Sequence, residues 1–270
     1  MDIITSSQNP LVKEAKSLKL RKHRDSKGLF FIEGLRFVEE AVKRGGDIER
    51  VFVSKHFYEM GSPNSEKLLR EIKSRANDVV FLTDKLFKEI SDTSSPQGIA
   101  AVLRMKAARL DELIGKDNLF ILLDSVQDPG NMGTIIRTAD AAAFNGVIIS
   151  KGCVDIYNPK VLRSTMGSVF HIPIVFSSDL SETISFLKSN GIKIYAAHLM
   201  GEKNYFDIRM ANNTAIIIGN EANGVRDDIA SYADGLVKIP MPGNSESLNA
   251  SIAAGILMFE CVRQRFKEKK

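Results

Sequence analysis

LFILLDSVQDPGNMGTIIRTADAAAF, residues 119–144, opens with apolar residues that do not alternate with polar ones, turns through Pro129, Gly130 and Gly133, and continues at helical spacing. A strand with one face in water alternates; Leu119–Leu123 does not, so both of its faces are expected to be covered, as in a parallel sheet packed between helices. Further runs of this kind follow in GVIISK, VFHIPIVF, KIYAAHL, TAIIIGNE and GLVKIPM, with helical patterns between most of them. Residues 119–270 are therefore expected to form an α/β domain with a mostly parallel sheet.

Upstream the rhythm is different. NPLVKEAKSLKL reads as a helix, GLFFIEG as a short strand, LRFVEEAVKRG as an amphipathic helix, ERVFVSK as a strand, SEKLLREIKSRA as a helix and VVFLT as a strand. TDKLFKEISD follows as a helix capped by Thr83, and GIAAVLRM closes the series. Residues 1–105 are expected to be a small α/β domain, with the charged stretch 106–118 as linker. The basic end, RQRFKEKK, reads as a fraying helix terminus.

Composition excludes several classes. The longest apolar run, IAAGILMF, is too short to span a bilayer and the N-terminus lacks an apolar signal core, so a cytoplasmic protein is expected. Two cysteines and four scattered histidines form neither C-x-x-C nor H-x-x-x-H, so no metal is expected. No G-x-G and no G-x-x-x-x-G-K-[ST] occurs, which disfavours a Rossmann dinucleotide site or a phosphate loop. The net charge of +4 sits entirely in residues 1–105, which hold 19 Lys and Arg against 15 Asp and Glu. The run KEAKSLKLRKHRDSK at 13–27 is a solvated helix face on the plainer reading; contact with a polyanion is the alternative.

Ligands of open α/β sheets sit beyond the carboxyl ends of strands, so three loops stand out. After the first strand, Asn131 is placed to cap or line a helix whose apolar face is Ile135, Ile136, Ala139, Ala142 and Ala143, with Arg137 on roughly the opposite side. Alone, Arg137 reads as a surface arginine. After TAIII comes GNEANG, where Glu221 reads equally well as a cap for the next helix or as a site residue. In IPMPGNSESLNASIAAGILMFE, residues 239–260, small polar residues lead into a helix that is apolar on nearly every side. Such a helix start is expected to be buried, and Ser247 taken alone reads as an N-cap.

Taken together, Asn131 with Arg137 six residues on, GNEANG at 219–224, IPM at 239–241 and SLN at 247–249 resemble the three motifs of the SpoU, or TrmH-type, branch of the SPOUT methyltransferases. SSQNPLVKEAKSL, GLFFIEGLRFVEEAV and SPQGIAAVL resemble, less specifically, the L30e-like substrate-binding domain common in that family. The resemblance implies an S-adenosylmethionine-dependent RNA 2′-O-ribose methyltransferase, a deep trefoil knot in the C-terminal chain, and a homodimer joined through that domain. It implies Gly219, Ile239, Met241 and Leu248 as cofactor contacts, and Asn131, Arg137, Glu221, Ser247 and Asn249 as the catalytic set. It also points to Lys13, Lys16, Lys19, Arg21, Lys22 and Arg24 as RNA contacts.

In the family Arg137 would act as a base in the neighbouring subunit's site. A guanidinium keeps its proton far above neutrality, so orienting a phosphate and the ribose hydroxyl is the role expected for it here. Glu221 is expected to orient Asn131 or the arginine, with Ser247 and Asn249 as hydrogen-bonding supports. Ribosomal RNA is expected ahead of transfer RNA, by analogy alone. The alternatives are a tRNA 2′-O-methyltransferase, a non-catalytic RNA-binding protein of the same fold, a Rossmann-type enzyme and an antibiotic-resistance enzyme acting on ribosomal RNA.

Overall fold

The computed structural model describes residues 2–61, 63–74, 76 and 78–268, the side chains of Pro63 and Asn64 excepted. Arg75, in an expected helix, and the last two residues of the basic tail lie outside the described residues. The chain forms two compact units: Met1–Lys106 with Tyr157–Phe170, and Ala107–Ile156 with His171–Lys270.

The first unit holds strands β1 (Ile3–Ile4), β2 (Leu29–Glu33), β3 (Ile48–Ser54), β4 (Asp78–Leu82) and β5 (Ile99–Arg104), ordered β1-β4-β3-β5-β2. β5 is antiparallel to both its neighbours, while β1, β4 and β3 run parallel. Each expected strand of this unit forms. Helix starts follow the sequence signals: Asn9 caps Pro10–Ser17 and Thr83 caps Asp84–Ile90, each accepting a backbone N–H. One side of the sheet packs Phe31, Phe52, Leu82, Ala100 and Val102 against Val12, Ala15, Phe87 and Ile90.

The division at 106–118 does not anticipate the return of Tyr157–Phe170 to this unit. The Tyr157 ring lies 4.5 Å from that of Phe30. Its hydroxyl donates to the Lys106 carbonyl at 3.0 Å and accepts from the Lys106 N–H at 3.3 Å. An aromatic ring and a paired hydroxyl thus fasten a segment that local sequence gave no reason to place there.

The second unit adds β6 (Leu119–Leu123), β7 (Gly146–Ser150), β8 (Ile174–Ser177), β9 (Lys193–Ala197), β10 (Lys203–Asn204), β11 (Thr214–Ile218) and β12 (Gly235–Lys238). Their order is β10-β12-β9-β11-β6-β7-β8, and every described pairing is parallel. β6, β7 and β11 are buried along their whole length, as unalternating strands require. One face carries Phe120, Leu122, Ile148 and Ile217 against Ile184, Leu187 and Ile229. On helix Pro129–Ala141, residues Met132, Ile135, Ile136 and Ala139 are buried, and the final helix, Ala250–Glu268, packs against both that helix and β11.

Two expectations fail for local reasons. VFHIPIVF yields a strand only at its end, because Ser168–Phe170 makes a tight 3-10 turn and Pro173 lacks an N–H for the ladder. Ala143 leaves the expected apolar face: the helix has ended, and Ala143 sits exposed at φ 53°.

Tyr157→Phe keeps the ring and strands two backbone groups of Lys106. It should lower unfolding free energy by about 1–2 kcal/mol, read as a fall in urea midpoint without a change in slope.

Candidate active site

Three strand ends of the second unit converge. Beyond β6, Asp128 caps helix Pro129–Ala141, its Oδ1 accepting the Asn131 N–H at 2.8 Å, and Pro129 occupies the first turn, where its missing N–H costs nothing. Asn131 is therefore not the cap; it lies one turn in, and its buried side chain points at two other loops.

Asn131 Nδ2 donates to Glu221 Oε1 at 3.0 Å, and Asn131 Oδ1 accepts from Asn249 Nδ2 at 2.9 Å. Glu221 also accepts the backbone N–H groups of Asp128 (3.0 Å) and Gln127 (3.1 Å). It does not cap the following helix. Burial by itself would raise the Glu221 pKa; the Asn131 amide and the two backbone donors outweigh it and hold the carboxylate below its ordinary range. The glutamate is an anion that ties the second loop to the first.

In GNEANG the chain folds back on itself. Asn220 and Gly224 exchange two backbone hydrogen bonds of 2.9 Å, and the Asn220 side chain accepts from the N–H groups of Ala222 and Asn223. A Cβ on Gly219 would overlap the backbone of Gly224 and Val225, so only glycine permits this closure.

In the third loop the helix starts at Ala250, and Asn249, not Ser247, is its cap. Asn249 Oδ1 accepts from Ser251 N (2.9 Å), Ser251 Oγ (2.7 Å) and Ile252 N (3.3 Å). Residues 242–247 are exposed in the single chain, contrary to the expected burial. Ser247, displaced from the cap, has no hydrogen-bond partner among the described residues.

Beside this hydrogen-bonded chain lies a cavity of about 390 Å³, the size of a small-molecule site. Gly219, Ile239, Met241 and Leu248, the four expected cofactor contacts, all line it, as do Glu221 and Ser247. Ile218 and Val237 add apolar wall. His198, Leu199 and Met200, at the end of β9, also line it and were missed. The available signal was positional: KIYAAHL is a fourth strand ending at the same edge as the other three. The turn there is fixed by Met200 N–H donating to His198 Nδ1 at 3.1 Å and Gly201 N–H to the His198 carbonyl at 3.0 Å.

Arg137 stands apart from these groups. Six residues beyond Asn131, it is rotated by about 120° around the helix, and it is exposed with no ion pair among the described residues.

The proposed RNA contacts divide in the first unit. Arg24 is 3% exposed and its Nη1 donates to the carbonyls of Leu18 and Lys19 at 2.8 and 2.9 Å. It closes the end of helix Pro10–Ser17 and is not available to RNA. Lys16 pairs with Glu89 at 2.5 Å, Lys19 with Asp92 at 3.1 Å and Arg21 with Asp25 at 3.4 Å. Lys13 and Lys22 have no ion pair among the described residues. Much of the run's charge is answered locally, which the linear sequence could not show.

Among the described residues no group of three or more His, Cys, Asp or Glu could hold a metal ion, and no helix is long and apolar enough to cross a membrane.

Residues 118–259 match the SpoU rRNA Methylase family, and residues 9–101 match the MRM3-like substrate binding domain. The 23S rRNA (guanosine(2553)-2′-O)-methyltransferase RlmP of Bacillus subtilis is 36% identical, the alignment covering 96% of this chain and 98% of the relative. The 23S rRNA (uridine(2479)-2′-O)-methyltransferase of Streptomyces viridochromogenes is 32% identical over 91% of this chain and 86% of its own. A crystal structure of an AdoMet-bound rRNA methyltransferase from Sinorhizobium meliloti superposes with a TM-score of 0.87 at 32% identity, covering 97% of each chain.

Two outcomes follow from this geometry. Gly219→Ala should abolish saturable binding of a ligand in the cavity, measured by calorimetry, because the loop cannot close around a Cβ. Because the folded-state pKa of Glu221 is depressed, its stabilisation is complete above the unfolded carboxylate value and is lost as pH falls through the folded one. The stability difference between wild type and Glu221→Gln in urea titrations should thus be largest near neutrality and shrink on acidification.

Proposed function

The chain belongs to the SpoU rRNA methylase family, and on that premise we propose that it transfers the methyl group of S-adenosylmethionine to a ribose 2′-hydroxyl of ribosomal RNA. The carrying observation is the hydrogen-bonded chain Asn249–Asn131–Glu221 at the rim of a cavity that all four expected cofactor residues line. Apolar walls with a few polar groups at one side suit a ligand that joins a purine to an amino acid. When bound, S-adenosylmethionine supplies an electrophilic methyl group on a sulfonium sulfur.

The protein's part is orientation and proton management. Asn131, Glu221 and Asn249 spend most of their hydrogen-bonding capacity on one another, so their role is to hold three loops in register. Ser247 lines the cavity with an uncommitted hydroxyl and is the group free to engage the substrate hydroxyl. Arg137 presents its planar guanidinium to the phosphate beside the target ribose.

A homodimer brings Arg137 of one copy to the site of the other. In support, Ile252 (54% exposed), Phe259 (50%) and Phe266 (68%) recur every seven residues along one face of the final helix, which packs against the helix bearing Arg137. An apolar stripe of that kind needs a cover. The deep trefoil knot and a cytoplasmic location belong to the same reading. Ribosomal RNA is favoured over transfer RNA because the rRNA-modifying relatives align across both units, first unit included. In that unit, Lys13 and Lys22 remain the most available of the proposed RNA contacts.

Labelled S-adenosylmethionine offered with unmodified ribosomal and transfer RNA, followed by nucleoside mass spectrometry, should yield a 2′-O-methylated nucleoside in the ribosomal pool. Cofactor binding without incorporation into either pool would count against both RNA classes as free substrates. Absence of both binding and incorporation would favour the non-catalytic reading. Arg137→Ala should slow transfer by roughly ten- to a hundredfold, about 1.4–2.7 kcal/mol in the barrier, and activity equal to wild type would exclude the phosphate role.

A further inference from the structure

We infer that Asp124 is a positioning residue that presents Glu221 to Asn131, an inference that rests on the catalytic reading above. Asp124 directly follows β6, the strand paired with both β11 and β7, and its carboxylate is 0% exposed. It does not line the cavity.

A fully buried carboxylate is costly unless each oxygen is occupied. Both oxygens are turned to one residue of the second loop. Asp124 Oδ2 accepts the Arg226 backbone N–H at 3.0 Å, and the Arg226 Nε reaches Oδ1 at 3.0 Å and Oδ2 at 3.2 Å. One side chain thus grips both the main chain and the guanidinium of Arg226, fixing the far end of the 219–226 loop to the end of β6. The near end is held by Asn220, whose Nδ2 donates to the Ser125 carbonyl at 2.9 Å. Glu221 sits between these two anchors.

Ser125, next to Asp124, shows that the arrangement is imposed. It is a non-glycine residue at φ 60°, its N–H held by Ser150 Oγ at 3.1 Å and its carbonyl by Asn220. A left-handed serine persists where its surroundings over-determine it. Here it bends the first loop back so that Gln127 N, Asp128 N and Asn131 Nδ2 all reach the Glu221 carboxylate. Ser125 thus sets the donors, and Asp124 with Arg226 sets the acceptor.

In the test, Asp124→Asn, Arg226→Gln, Glu221→Gln and the double variant Asp124→Asn/Glu221→Gln are compared with wild type. The measurements are single-turnover methyl transfer at saturating cofactor and RNA, and the side-chain amide resonances of Asn131 after selective nitrogen-15 labelling of asparagine. If Asp124 acts through Glu221, Asp124→Asn should slow transfer at least tenfold with little change in the RNA KM. The double variant should be no slower than Glu221→Gln alone, since both losses fall on one contact. The Asn131 amide resonance in Asp124→Asn should also move toward its position in Glu221→Gln. Multiplicative losses in the double variant, or an Asn131 resonance unchanged from wild type, would overturn the assignment. Arg226→Gln removes only the half-exposed guanidinium and should show the same pattern at smaller size, which keeps the test decisive if Asp124→Asn does not fold. The resonance readout needs no catalysis, so a wild-type chain that transfers no methyl group would sink the functional reading and still leave Asp124 on trial.

Discussion

The side-chain amide of Asn131 is the joint on which the site depends. A neutral amide donates and accepts at once. It is therefore able to link an anion on one loop, Glu221, to a helix cap on another, Asn249, without adding charge. No two of these residues share a strand or a turn. The joint works because β6 and β11 are parallel neighbours whose ends fall at the same edge, and because the final helix packs on the helix that bears Asn131. An aspartate at position 131 would set like charges together against Glu221; a leucine would leave a glutamate and an asparagine facing a wall.

What the sequence disclosed and withheld follows from the range of the forces involved. Unbroken apolar strands announce burial on both faces through a local pattern, so the parallel sheet was legible. Caps such as Thr83 were legible too, since cap and helix are contiguous. The cap was misread as Ser247 because SESLN offers several capping residues within one turn, and the choice of Asn249 is made by Asn131, distant in the chain. Arg24 was misread for the converse reason: a basic run looks solvated until folding turns one member inward to close a helix end. The excursion of Tyr157–Phe170 has no local signature, because a ring packed against Phe30 and a hydroxyl on Lys106 are long-range facts.

The two units also differ in how their polar groups are used. In the first, the ion pairs lie largely at the surface, as Arg21–Asp25 and Arg44–Glu40 do, where each contributes little to stability. In the second, buried Asn131 and Asp124 hold the more exposed Glu221, Asn249 and Arg226 across loops. A single sequence shows the residue types in both cases alike. Only the pairing distinguishes charges that balance a surface from those that hold a site.

The return of Tyr157–Phe170 to the first unit has a consequence for the order of synthesis. Residues 1–106 leave the ribosome long before the segment that completes their packing, and in between the chain must lay down β6, the helix after it and β7. The two units cannot finish folding in strict succession, because the earlier one waits for a piece delivered after the later one has begun. A polypeptide interrupted near residue 150 would therefore carry two unfinished cores rather than one finished and one missing, and both would expose apolar surface to the quality-control machinery of the cell.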